Sequence, residues 1–140
     1  MQIVLASHSM LAAGMKQTAE FIMGVQNNLH AITAYAEEGQ EFREELVELV
    51  AKFGSESVLF LTDLKGGSVN RIITDFIKGQ EHYYLVAGMN LPLVLELLVT
   101  PYKEQRSEVM NQLKTITEKA STELEVIDVN ELEIALEDDF

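Results

Sequence analysis

The chain has 140 residues, the usual length of one domain, and 47% apolar content, enough to fill a single core. It contains no cysteine, which excludes disulfides, thiolate metal sites and cysteine nucleophiles together and leaves histidine and hydroxyl groups to carry any chemistry. Its net charge of -13, from 23 acidic and 10 basic residues, would repel a phosphate backbone, so nucleic acid is not expected as a partner.

No apolar run approaches the roughly 20 residues that span a bilayer, and the N-terminus lacks a basic region followed by a long hydrophobic segment. The expectation is a cytoplasmic protein.

In chain order, the apolar run Ile3-Val4-Leu5-Ala6 predicts a first strand ending near Ser7. Leu11, Met15, Thr18, Ala19 and Ile22 then follow at helical spacing, with Gly24 where a C-cap glycine belongs. A second strand is expected over residues 30–35. The helix after it carries Phe42, Leu46, Leu49, Val50 and Phe53 on one face before Gly54. Val58-Leu59-Phe60-Leu61 is an uninterrupted apolar strand of the kind that is covered on both faces. Val69, Ile72, Ile73, Phe76 and Ile77 predict the third helix, closed by Gly79.

The fourth strand is predicted at residues 83–87, and a short helix with Leu93, Val94, Leu97 and Leu98 stops near Pro101. A longer helix is expected over residues 103–121, its stripe formed by Val109, Leu113, Ile116 and Ala120. Residues 124–129 alternate apolar and acidic side chains, which suits a half-exposed edge strand able to pair across a dimer interface. Glu131, Glu133, Glu137, Asp138 and Asp139 make residues 130–140 an acidic tail or short terminal helix.

Alternating βα units imply an α/β fold with a parallel sheet. Ligands of such sheets bind at the carboxyl ends of the strands, where strand order reverses. With strands ordered 2-1-3-4 that point lies between the first and third strands, which end at His8 and Asp63. The turn Gly66-Gly67-Ser68 opens the third helix beside them, with Ser68 its expected N-cap. Each feature has an ordinary reading, as a loop histidine, a turn aspartate and a helix start. Together they describe an imidazole oriented by a carboxylate, next to helix amides and a hydroxyl that would receive an anion, and a phosphoryl group suits such a cup.

No nucleotide-binding glycine loop and no nucleophile-elbow serine is present. His30 and His82 fall at strand beginnings, on the opposite edge from His8, so a metal site is not expected.

Four segments carry a family resemblance: Ile3-Val4-Leu5-Ala6-Ser7-His8-Ser9, the stretch from Phe60 through Asp63 to Gly66-Gly67-Ser68, the stretch from His82 to Gly88, and Met89-Asn90-Leu91-Pro92. In order and spacing they resemble the enzyme IIA component of the mannose class of the bacterial sugar phosphotransferase system. The resemblance implies that His8 accepts a phosphoryl group from the carrier HPr and passes it to enzyme IIB, serving membrane IIC and IID partners indirectly. It implies that Asp63 holds the Nδ1 proton so that Nε2 attacks, that Gly66, Gly67 and Ser68 form the phosphate-side loop, and that no metal or cofactor is needed.

It also implies a parallel sheet in order 2-1-3-4 covered by helices on both faces. To this the family adds an antiparallel C-terminal strand, at residues 124–129, exchanged in a homodimer. Residues 1–129 would be the IIA-like domain. Val69-Asn70-Arg71 stands where a proline and an aromatic often follow the Gly-Gly-Ser turn, and Ser9 stands where many members have glycine, with its hydroxyl expected to cap the first helix. A His8-phosphorylated regulatory module, the phosphotransfer subunit of dihydroxyacetone kinase and a reversible anion-binding protein stay open as alternatives.

Overall fold

In the computed structural model, which describes residues 1–132, strands and helices alternate from the N-terminus through β4. The order is β1 (Gln2–His8), α1 (Leu11–Met23), β2 (Leu29–Ala34), α2 (Phe42–Ala51), β3 (Val58–Thr62), α3 (Ser68–Ile77), β4 (Tyr83–Ala87), α4 (Leu91–Val99) and α5 (Arg106–Ser121). The four strands form one sheet in order β2-β1-β3-β4, and every pairing is parallel. The expected architecture is therefore the observed one, with element ends moved by a few residues.

The two central strands explain the apolar runs. Ile3 to Ala6 and all of β3 are buried, because helices cover both faces. The period-2 alternation of a strand sorts their side chains between two layers. Ile3, Leu5, Leu59 and Leu61 pack with Leu93, Val94 and Leu97 of α4 and Val109, Leu113 and Ile116 of α5. Val4, Ala6, Val58 and Phe60 pack with Leu46 and Val50 of α2 and Val69 and Ile73 of α3.

Phe60, at the middle of β3, is fully enclosed and meets Tyr83 edge-on at 5.9 Å between ring centroids. Replacing it by alanine removes contacts to a strand and two helices that cannot collapse together. Phe60→Ala is expected to cost about 3–5 kcal/mol of stability, read from the urea midpoint at constant slope.

β4 is an outer strand, and its amino end is occupied. The Arg106 guanidinium donates to the carbonyls of Glu81 and Tyr83, both at 2.9 Å, and lies 5.0 Å above the Tyr84 ring.

One expectation is corrected. Ser9 does not cap α1. Ser7, the buried serine before His8, accepts the Ala12 N–H at 2.7 Å, while Ser9 takes a left-handed φ of 50° that swings the chain off the strand. A serine still facing the sheet can reach the first turn, and the one at the bend cannot.

The strand expected at residues 124–129 would pair with a second copy, and within the single chain the segment has no ladder. Residues 124–128 carry no secondary structure, and Leu124, Val126, Ile127 and Val129 are all exposed. Alternation prepares a segment for pairing, but a strand exists only where a ladder partner is present. Of the acidic end, residues 133–140 lie outside the described residues, so the tail or helix expected there falls mostly beyond them.

Candidate functional site

The carboxyl edge of β1 and β3 brings the expected residues together. His8 ends β1, and Asp63 immediately follows β3. Because β1 and β3 run parallel with Ala6 beside Thr62, their last residues emerge side by side.

One carboxylate oxygen of Asp63 accepts two hydrogen bonds from His8: the backbone N–H at 2.8 Å and ring Nδ1 at 2.8 Å. The other oxygen accepts the Leu64 N–H at 2.9 Å. A carboxylate accepts only, so Nδ1 carries the proton toward it and Nε2 is left as the lone-pair nitrogen of the neutral ring. Burial pushes the Asp63 carboxyl up, but the hydrogen bonds from the His8 backbone and ring, the positive charge that ring bears when doubly protonated and the Leu64 N–H outweigh it. The group is held below the ordinary aspartate range.

Nε2 faces the turn that opens α3. Ser68 Oγ lies 3.1 Å from it. The turn can come this close because of its glycines: Gly66 has a φ of 76°, and a Cβ on Gly67 would stand 3.4 Å from His8 Cε1 and 3.2 Å from the Leu64 Cβ. Ser68 is the first residue of α3 rather than its N-cap. Gly67 occupies the cap position, which frees the Ser68 hydroxyl to point at the ring. The leading N–H groups of a helix have no partner within it and carry its positive dipole end, so the space beyond Nε2 favours an anion.

Three residues here escaped the reading of the sequence. Asn70, mostly buried, donates to Thr62 Oγ1 at 2.9 Å and accepts the Gly66 N–H at 3.2 Å, lashing the turn to the end of β3. It occupies part of the segment where a proline and an aromatic are common, and its amide supplies bonds that no proline could. Tyr35, just past β2, stacks on His8 with 5.6 Å between ring centroids, and its hydroxyl donates to Ser68 Oγ at 3.1 Å. Ser7 caps α1 beneath the histidine.

The other histidines stay away from the site. His30 lies beside Val4 in the amino half of β2, bonded to Gln2 Oε1 at 2.8 Å, and burial together with Lys16 and Lys52 pushes its pKa down. His82 directly precedes β4, also at the amino edge.

The fold and site define a class: a parallel α/β domain that presents a carboxylate-oriented imidazole, its Nε2 beside the Ser68 hydroxyl, to the amino end of a helix at the switch point of its sheet. Comparison with known proteins narrows it. A family model described as the fructose IIA component of the phosphotransferase system matches residues 2–114. The chain belongs to that family, and is a mannose-class IIA component with a role in sugar phosphotransfer.

Among its relatives, the sorbose-specific EIIA component of Lacticaseibacillus casei is 32% identical over the full length of both chains. The fructose-specific EIIA component of Bacillus subtilis is 28% identical over 84% of this chain and 82% of its own. Among solved structures, the mannose/sorbose-specific IIA subunit from Enterococcus faecalis superposes with a TM-score of 0.75 at 25% identity, covering 94% of this chain and 97% of that one. No helix among the described residues is long and apolar enough to cross a membrane.

Proposed function

We propose that His8 is a phosphoryl carrier, loaded from the phosphohistidine of HPr and discharged to a histidine of enzyme IIB, on the cytoplasmic side of a sugar transporter's IIC and IID components. The observation that carries this reading is the pair of contacts on one ring, Nδ1 to Asp63 at 2.8 Å and Nε2 to Ser68 at 3.1 Å. The first supports Nε2 as the nucleophilic nitrogen, and the second supports the space beside Ser68 as the place its substrate takes.

In the transfer, the Nε2 lone pair forms a P–N bond as the P–N bond to the donor imidazole breaks, and the electron pair of that bond returns to the donor. The proton stays on Nδ1, hydrogen-bonded to the Asp63 carboxylate throughout, so none is released. Positive charge grows on the His8 ring as it takes the phosphoryl group, and the Asp63 carboxylate stands ready to balance it. Negative phosphoryl oxygens meet the α3 N-terminus and the Ser68 hydroxyl. One P–N bond replaces another, which makes transfer nearly isoenergetic and reversible. The task is in-line positioning and charge balance, with no call for a metal or cofactor.

The decisive experiment is intact-mass measurement after incubation with phosphoenolpyruvate, enzyme I and HPr. The expected result is one phosphoryl adduct per chain, lost in acid. A folded chain that gains no mass overturns the reading.

The working unit is a homodimer in which residues 124–129 of each copy add an antiparallel strand to a sheet edge of the other. Four exposed apolar side chains on six residues, at 57% to 99% exposure, support a partner for this segment. Sedimentation should give a dimer for the full chain and a monomer once residues 124–140 are removed. A monomeric full chain at tens of micromolar overturns the exchange.

A further inference from the structure

Tyr35 enters the site from the neighbouring strand in a backbone conformation that side chains seldom take. It directly follows Ala34, the β2 residue that lies beside His8. Its φ of 61° falls in the left-handed region, a genuine outlier for a bulky residue, kept only where the surroundings over-determine it.

Gln40 does so. Its amide nitrogen donates to the Thr33 carbonyl and its oxygen accepts the Ala36 N–H at 3.0 Å, gripping the backbone on both sides of Tyr35. The Ser9 N–H donates to Ala34 O at 2.6 Å and ties the same bend to the end of β1. The phenol is thereby turned over the site, with its ring at 29° to the imidazole plane. Tyr35 nonetheless stays 65% exposed, so burial of its ring does not account for the strained conformation.

The order of donors gives its hydroxyl a role. Asp63 holds the Nδ1 proton, so Nε2 can only accept, and the single Ser68 hydroxyl hydrogen is the one that points at it. With that hydrogen committed, Ser68 Oγ is free to accept, and Tyr35 donates to it. We propose that Tyr35 is a positioning residue for transfer at His8, its ring steadying the imidazole and its hydroxyl turning the Ser68 hydrogen toward the reacting nitrogen. Once the lone pair of Nε2 is used in a P–N bond, the Ser68 hydroxyl swings to a phosphoryl oxygen and the Tyr35 hydroxyl is the next donor at hand. The role in transfer rests on the phosphocarrier reading of His8.

Two variants separate ring from hydroxyl. Tyr35→Phe keeps the stack and loses the donor, and Tyr35→Gly removes both while suiting the backbone. Two signals are followed: the rate of loading from phosphorylated HPr by rapid quench, and the 15N resonance of His8 Nε2, which senses the hydrogen bond its lone pair accepts and needs no phosphotransfer. Tyr35→Phe is expected to load to one phosphoryl per chain about fivefold more slowly, the scale of one hydrogen bond, and Tyr35→Gly more slowly still. The Nε2 resonance should move in both. Adding Tyr35→Phe to Ser68→Ala should bring no further loss, because the hydroxyl acts through that serine.

Wild-type loading rates and an unmoved resonance in both folded variants overturn the role of Tyr35 and leave His8 a carrier. A wild-type chain that never loads overturns the carrier reading itself, and the transfer role of Tyr35 with it.

Discussion

His8→Ala is expected to give a folded chain that takes up no phosphoryl group at all. The fold survives because the side chain contributes little to it: the ring is 37% exposed at the sheet edge, outside both core layers. Asp63 also keeps two of its three hydrogen bonds, since the backbone N–H groups of residue 8 and Leu64 do not depend on the side chain. Chemistry is lost completely because no nucleophile can take over. There is no cysteine in the chain, and His30 and His82 sit at the opposite edge of the sheet. Ser68 faces the same space, but its hydroxyl has no base once the imidazole is gone, and a phosphoserine would be acid-stable. Intact mass with the full donor chain checks this, alongside circular dichroism and a thermal midpoint within a few degrees of wild type. A stoichiometric adduct on the alanine variant would move the carrier to another residue.

Much of this site can be read from punctuation. In a parallel α/β chain the residue at the end of each apolar run is the one the sheet delivers to the ligand edge. His8 after Ile3-Val4-Leu5-Ala6-Ser7 and Asp63 after Val58-Leu59-Phe60-Leu61-Thr62 are such residues, so their meeting follows from strand order. The turn at Gly66 and Gly67 is legible for the same reason.

What stays hidden depends on direction rather than position. Tyr35 also ends a strand, next to β1, but an aromatic there reads as the last apolar residue of β2. Only a left-handed φ held by Gln40, five residues on, turns it toward His8. Asn70 looks like an ordinary first-turn helix residue until the Gly66 N–H and Thr62 hydroxyl are seen to converge on it. Ser7 and Ser9 flank the histidine alike in sequence, and the left-handed backbone at Ser9 decides that only Ser7 reaches α1. Residues 124–129 display the alternation of a strand, yet pairing is a property of a neighbour that the segment does not itself encode.

Asp63→Asn should slow transfer by roughly a hundredfold to a thousandfold while leaving His8 in place. The carboxylate accepts three hydrogen bonds and donates none. An amide has one oxygen, so either its NH2 faces His8, meeting the backbone N–H and forcing the ring proton onto Nε2, or it faces the Leu64 N–H and leaves one donor opposing another. In both orientations the negative charge that balances the phosphorylated ring is gone, and in the first the nucleophile is blocked as well. Slow loading with unchanged affinity for HPr separates this from a docking defect.

Stability supplies a second reading of the same change. The Asp63 pKa is lower folded than unfolded, so its contribution is fully present above the unfolded value of about 4 and is lost as pH falls through the folded one. The thermal midpoint of wild type should therefore exceed that of Asp63→Asn at pH 7, with the gap closing below about pH 4 as the wild-type carboxylate protonates. A gap that persists unchanged into acid would mean that charge is not what Asp63 contributes, and the electrostatic account of its role in transfer would fall with it.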